Sequence, residues 1–205
     1  MDLIYYTTIP SRLAALKLIR KANKVRRVDD LVELAFNYSF PFRFKGLTIK
    51  PAQVKEEITV LLRILKSLNL RRCLEIGTAG GGTLFLFAQA SRPDALLISV
   101  DLPGGPFGGG YPAWKMPLYK SFTRYATQKI HLLRADSHDP STLRRVKEIL
   151  GDAPLDFLFI DGDHTYEGVK KDFEMYSPLV RKSGIIAFHD IVPGPPENVG
   201  GVPEF

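Results

Sequence analysis

The chain has 205 residues, of which 45% are hydrophobic and 24% charged, with a formal net charge of +6. That composition excludes a globally disordered or fibrous protein, and no run of about 18 apolar residues is present to span a bilayer. The single cysteine, Cys73, excludes a disulfide framework and a multi-cysteine metal centre. Set in an apolar run, it reads as a buried thiol in a cytoplasmic protein.

The charge is unevenly placed. Residues 1–50 hold 10 Lys and Arg against 4 Asp and Glu, and the remainder of the chain is balanced. The whole excess therefore sits in the first quarter. This reads as a helical, basic appendage over residues 1–48 on a neutral domain over 49–205. A nucleic-acid-binding domain would spread a basic face over its body, so no nucleic-acid partner is expected.

The N-terminus has no leading positive charge and no long apolar core of a signal peptide. Residues 11–28 predict a basic helix with Leu13, Leu16, Ile19 and Ala22 at helical spacing. Its cations allow a weak contact with a membrane surface. Residues 29–40 predict a second short helix. Pro51 to Leu68 predicts an amphipathic helix with proline near its start, where the missing N–H costs little.

From there strands and helices alternate. Strands are predicted at Arg72–Ile76, Leu96–Val100, Ile130–Leu133, Leu155–Ile160 and Gly184–Phe188. Helices are predicted at Thr83–Ala90, Trp114–Ala126, Pro140–Leu150 and Thr165–Val180. Five continuous apolar strands separated by helices imply an α/β fold, a Rossmann-like doubly wound parallel sheet with helices on both faces. Such sheets bind ligands at the carboxyl ends of their strands.

Every predicted strand ends in polar residues at that side: Glu75, Asp101, Asp136 just past the third strand, Asp161, and His189 with Asp190. The first turn, Glu75 to Thr83, is rich in glycine, which lets backbone pass close to a ligand. It is not the dinucleotide fingerprint G-x-G-x-x-G, and Glu75 would repel a diphosphate. Asp101 lies where a carboxylate can accept both hydroxyls of a ribose. Asp161, Asp163 and Asp190 with His164 and His189 form a second polar group, able to hold a divalent cation. His164 is also a candidate general base, with an ordinary pKa near 6.5. Asp163 alternatively caps the helix that follows it. His131 and His138 are read as structural. The stretch Leu102–Pro112 is rich in glycine and proline and reads as a mobile lid, with Phe107, Tyr111 and Trp114 as substrate contacts if it closes.

Residues 51–190 resemble the class I S-adenosylmethionine-dependent methyltransferases. LEIGTAGGGTL is similar to their first motif, ISVD to their second and RADS to their third. The segment FIDGDHTYEGVKKDFEMYSPLVRKSGIIAFHDI is similar to a small bacterial branch. That branch includes sugar- and antibiotic-tailoring O-methyltransferases and relatives of a cephalosporin hydroxylase. The resemblance implies S-adenosylmethionine as cofactor. Glu75, Gly77 and Thr78 would meet its amino-acid end, Gly81 would let the backbone close on it, and Asp101 would hold the ribose. Asp136 and Ser137 would meet the adenine. Asp161 would adjoin the cofactor and act in catalysis with His164. Asp161, His189 and Asp190 would hold a metal, Mg or Mn, if one assists.

The implied reaction is O-methylation of a small hydroxylated molecule, a sugar or secondary metabolite. A non-catalytic cofactor-binding protein and a nucleotide-dependent oxidoreductase are the alternatives. The family fold ends in an antiparallel hairpin, and the last fifteen residues leave no room for it. An exposed sheet edge covered by a second subunit, in a homodimer, or by the N-terminal segment is therefore expected.

Overall fold

The computed structural model describes residues 3–41, 47–105 and 109–205. The chain divides into two compact units: residues 1–70, 80–95 and 112–130 in one, and 71–79, 96–111 and 131–205 in the other.

The first unit is mainly helical, with α1 (Leu3–Ala22), α2 (Val28–Asn37), α3 (Lys55–Ser67), α4 (Gly82–Ala90) and α5 (Met116–Lys120). A two-residue antiparallel pair, β1 (Ser39–Phe40) and β2 (Leu47–Thr48), links α2 to α3. In α1 the buried face is Ser11, Ala14, Ala15, Leu18 and Ala22. Ser11 Oγ donates to the carbonyl of Trp114 at 2.8 Å, and the Tyr38 hydroxyl donates to that of Ala14. This corrects the face read from periodicity, because Leu13 and Leu16 point outwards.

α3 begins at Lys55, four residues later than the sequence predicts. Pro51 is instead spent in packing: a Cβ on Gly82 would lie 2.6 Å from the Pro51 ring and 2.2 Å from the Ile49 carbonyl. Glu56 and Glu57 in the first turn and Lys66 in the last suit the helix dipole. The long helix predicted at Trp114–Ala126 is a single turn of tight helix and the short α5. Gln128 organises the remainder. Its side-chain oxygen accepts from the backbone N–H of Arg124 and Tyr125. Its nitrogen donates to the carbonyls of Ala88 and Arg92.

The second unit contains the parallel sheet. Its strands are β3 (Arg72–Ile76), β4 (Leu96–Asp101), β5 (Lys129–Arg134), β6 (Leu155–Ile160) and β7 (Val180–Phe188), in the order β5-β4-β3-β6-β7. β3 pairs in parallel with β4 and β6, and β6 with β7. The order reverses at β3, so the crevice beyond its carboxyl end is the topological switch point. One face of the sheet, with Leu74, Ile76, Ile98, Val100, Leu158 and Ile160, packs against α6 (Pro140–Leu150) and α7 (Tyr166–Tyr176) through Val146, Leu150, Val169 and Tyr176. Asp139 caps α6 by accepting from Ser141 N–H at 2.7 Å, and Pro140 supplies the preset first turn.

After β7 the chain forms a short turn of helix, α8 (Pro196–Val199), and a second tight turn at Val202–Glu204. The sequence carries no helical pattern here. Phe205 nonetheless packs on Phe173, Phe188 and Tyr166 with ring centroids 5.6–6.1 Å apart, and Val202 joins the core.

Asp156 ties three strands together at the opposite end from the switch point. Its carboxylate accepts from Arg71 and Arg72 N–H at 2.8 and 3.0 Å and pairs with Arg181 Nε at 2.7 Å. Burial pushes the carboxyl up, but Arg181 and the two N–H groups outweigh it and hold it below the usual range. Its contribution is therefore present above the unfolded pKa, near pH 4, and is lost as pH falls through the lowered folded value. Asp156→Asn is expected to cost roughly 2–4 kcal/mol at neutral pH. In urea unfolding, the gap from the parent should close in acid. A gap that stays constant with pH would refute the assignment.

Candidate functional site

The carboxyl ends of the strands frame a cleft of about 340 Å³ in the second unit. That lies within the usual range for small-molecule sites. Its floor is apolar, from Ile76, Val100, Leu102 and Ala135, and its polar lining comes from Asp101, Asp136, Ser137, His138, Asp163 and Thr165. Gly77, Gly109 and Gly162 complete it. Four of the residues assigned from the sequence to the cofactor thus meet here, Gly77, Asp101, Asp136 and Ser137, together with Asp163 of the second polar group.

Asp101 is buried and fully engaged. One carboxylate oxygen accepts from Thr78 and Ala79 N–H at 2.9 and 2.7 Å. The other accepts from Leu102 and Gly110 N–H at 2.7 and 3.0 Å. The residue expected to hold a ribose therefore also pins the glycine-rich turn and both ends of the loop after β4. Thr78 turns its hydroxyl onto Ser99, a short buried hydrogen bond, and does not line the cleft. Glu75 is buried and does not line the cleft. Gly81 belongs to the first unit, with φ +84°, and an added Cβ there would lie 2.6 Å from the Tyr119 ring.

The loop after β4 is held at its ends by hydrogen bonds. Gly105 N–H donates to Gly109, Tyr111 N–H to Leu102, and Arg134 Nε to the Tyr111 carbonyl. Phe107 lies outside the described residues. Tyr111 is 1% exposed, so it is a core residue and not a substrate contact. Burial pushes its phenol far up, and the charges of Asp101 and Glu75 add to this against Arg134.

His138, read from sequence as structural, lines the cleft. Its N–H donates to Asp136 Oδ1 at 2.8 Å, and its Nε2 lies 3.2 Å from both the Gly168 carbonyl and the fully buried Asp172. The Asp172 hydrogen bond raises its pKa, and burial opposes this. The available signal was its place in the third motif, directly after Asp136 and Ser137.

The second polar group is assembled from two loops, the one between β6 and α7 and the one after β7. Asp161 follows β6, His164 precedes α7, and His189 with Asp190 follows β7. His164 lies between the two acids, with Nε2 3.5 Å from Asp161 and Nδ1 3.4 Å from Asp190. His189 Nδ1 lies 3.2 Å from Asp161 and 3.1 Å from Asp190. Burial raises the Asp161 pKa, but His164 and His189 outweigh it and the net shift is downward. Burial lowers that of His189, but Asp161 and Asp190 outweigh it and the net shift is upward. Asp190 adopts φ +56°, a strained position that aims its carboxylate at the group. The donor atoms of Asp161, His164 and Asp190 lie within 4.8 Å of one another, a separation that suits coordination of one divalent ion. The two carboxylates and an imidazole fit Mn²⁺, Fe²⁺ or Zn²⁺ better than Mg²⁺.

The backbone of His164 is held by the C-terminal segment. Gly201 N–H donates to its carbonyl at 2.7 Å, and a Cβ on Gly200 would lie 2.1 Å from the same oxygen. Asp163 does not cap α7. Thr165 does, accepting from Gly168 N–H at 3.0 Å, while Asp163 accepts from Thr165 N–H. Among the described residues no helix is long and apolar enough to cross a membrane.

The model of a methyltransferase domain family matches residues 74–191. An uncharacterized protein of Acanthamoeba polyphaga mimivirus is 36% identical over 121 residues, 57% of this chain and 50% of that protein. An uncharacterized protein of Sinorhizobium fredii is 28% identical over 130 residues, 62% of this chain and 14% of that protein. The chain therefore spans half or less of the length of these curated relatives. Among solved structures, the O-methyltransferase TomG from Streptomyces achromogenes, in complex with SAM, is similar with a TM-score of 0.56. It is 18% identical, over 88% of this chain and 76% of that one. The MycE methyltransferase, in complex with Mg and SAH, is similar with a TM-score of 0.51 and 20% identity, over 81% of this chain and 38% of that one. These structures share the fold.

Proposed function

The chain belongs to the methyltransferase domain family, and from that premise we propose that it is an S-adenosylmethionine-dependent O-methyltransferase acting on a small hydroxylated molecule. The observation that carries this reading is a juxtaposition. Gly162 and Asp163 line the nucleoside-sized cleft, and their neighbours Asp161 and His164 belong to the acid–histidine group. A cofactor with its adenosine in the cleft would then present its sulfonium end towards residues able to hold and deprotonate a hydroxyl.

Asp136, Ser137 and His138 line the cleft together, and in this reading Asp136 and Ser137 accept from the adenine amine. When bound, S-adenosylmethionine would supply the methyl group for the acceptor oxygen and leave as S-adenosylhomocysteine, and the hydroxyl proton must be received as the new bond forms. The chain's main contribution is to orient the two reactants and to receive the proton. Asp161, His164 and Asp190 would hold a divalent cation, with His189 orienting both acids. Such a cation, when bound, would lower the acceptor's pKa and orient its oxygen. With no cation, His164 is the group placed to take the proton. The two roles of His164 are exclusive.

The test is calorimetric titration with S-adenosylhomocysteine, with NAD as control, followed by mass spectrometry of methyl transfer to a panel of sugars and phenolic metabolites. Saturable binding of S-adenosylhomocysteine without NAD binding is expected. Transfer that EDTA abolishes and Mn²⁺ restores assigns His164 as a ligand, and transfer indifferent to EDTA assigns it as the base. A folded sample that binds neither compound, or binds NAD alone, refutes the proposal.

A further inference from the structure

α1 buries one apolar face and exposes another. Inward, Ala14, Ala15, Leu18 and Ala22 are at most 5% exposed. Outward, Ile9, Leu13 and Leu16 are 42%, 51% and 58% exposed, and their spacing of four and three residues sets them in one stripe. A surface helix of a soluble domain has a single apolar stripe facing its core. Among the described residues the second stripe stays about half exposed.

The stripe is bordered by charge of one sign. Arg12, Lys17, Arg20 and Lys21 are all exposed on α1, and Lys24, Arg26 and Arg27 follow it. No acidic residue occurs between Leu3 and Val28. Among the described residues the only ion pair made by this run is the loose one from Arg27 to Asp29, at 4.0 Å. Just beyond α1, Arg26 and Arg27 join Lys66 and Arg124 around a small surface cleft.

We propose that α1 is a docking surface for an anionic lipid bilayer, lying in the interface with Ile9, Leu13 and Leu16 inserted and the cations at headgroup level. Apolar insertion and attraction to anionic headgroups are the two contributions that hold such helices to membranes. A soluble polyanion would use the cations but leave the leucines in water. A second copy of this chain would cover the leucines but bring two strongly basic helices into contact. Of these three, the bilayer alone satisfies both observations. The inference does not depend on the reading of the cleft.

Co-sedimentation of the purified full chain with vesicles tests it. Vesicles of phosphatidylcholine alone are compared with an equimolar mixture of phosphatidylcholine and phosphatidylglycerol. Binding to the mixed vesicles alone is expected. It should fall at least roughly ten-fold in Leu13→Glu/Leu16→Glu and in raised salt. Both sites are exposed, so the variant should keep its circular dichroism spectrum and its affinity for heparin. Three results would overturn the proposal. One is no vesicle binding. The second is binding that the leucine variant leaves intact, which marks a simple polycation. The third is a dimer in sedimentation velocity that the leucine variant dissociates.

Discussion

Gly77→Ala is expected to destabilise the second unit by roughly 2–5 kcal/mol, a large share of the 5–15 typical of a domain. Two costs combine. Gly77 has φ +88°, where an L side chain is strained. Its Cβ would also lie 1.8 Å from the Asp161 carbonyl oxygen and 2.5 Å from the carbonyl carbon. Neither strand end can retreat easily. Gly77 N–H is bonded to Val100, and Asp161 N–H to Ile76, both at 2.9 Å. The sequence presents Gly77 as a close approach to ligand. In the structure it is first a close approach of two strand ends, and Asp161 takes its position from that contact. Gly151→Ala is the control: φ is +60°, with nothing within 4 Å of the added carbon. Equal urea midpoints for the two variants would refute the packing argument.

Asp101→Asn is expected to lower stability before any ligand is added, by about 3–6 kcal/mol, and to abolish cofactor binding with it. The carboxylate accepts four backbone N–H groups, two on each oxygen. An amide keeps one oxygen and turns an NH₂ towards two donors. Charge-assisted bonds of this kind contribute about 1.5–3 kcal/mol each, and the orphaned N–H groups add their own desolvation cost. Asp136 is the comparison. It is exposed, and among backbone donors it accepts the N–H of His138. Asp136→Asn should weaken S-adenosylhomocysteine binding with little change in the urea midpoint. If Asp101→Asn behaves the same way, its carboxylate serves the ligand and not the loop.

These two residues mark where sequence reading stops. Periodicity and strand-end polarity placed the five strands, and Pro140–Leu150 and Leu155–Ile160 match the structure to the residue, since caps, proline and continuous apolar runs are local signals. The start of the helix predicted from Pro51 and the end of the one predicted at Trp114–Ala126 differ from the structure because groups outside those helical segments, the Gly82 backbone and the Gln128 side chain, hold them. The inward face of α1 was misread for a related reason. Two apolar stripes share one helix, and periodicity does not say which meets a partner.

The chain by itself determined a parallel α/β sheet, a glycine turn and a row of acids at the strand ends, because each follows from residue type and spacing. Only the tertiary structure decided what those residues do. It spent Asp101 on four amides, joined His138 to Asp172, and set His164 between Asp161 and Asp190 with its backbone held by Gly201. The contacts from Asp101 to Thr78, His138 to Asp172, His164 to Asp190 and Gly201 to His164 join residues far apart in sequence, and a hydrogen bond depends on distance in space.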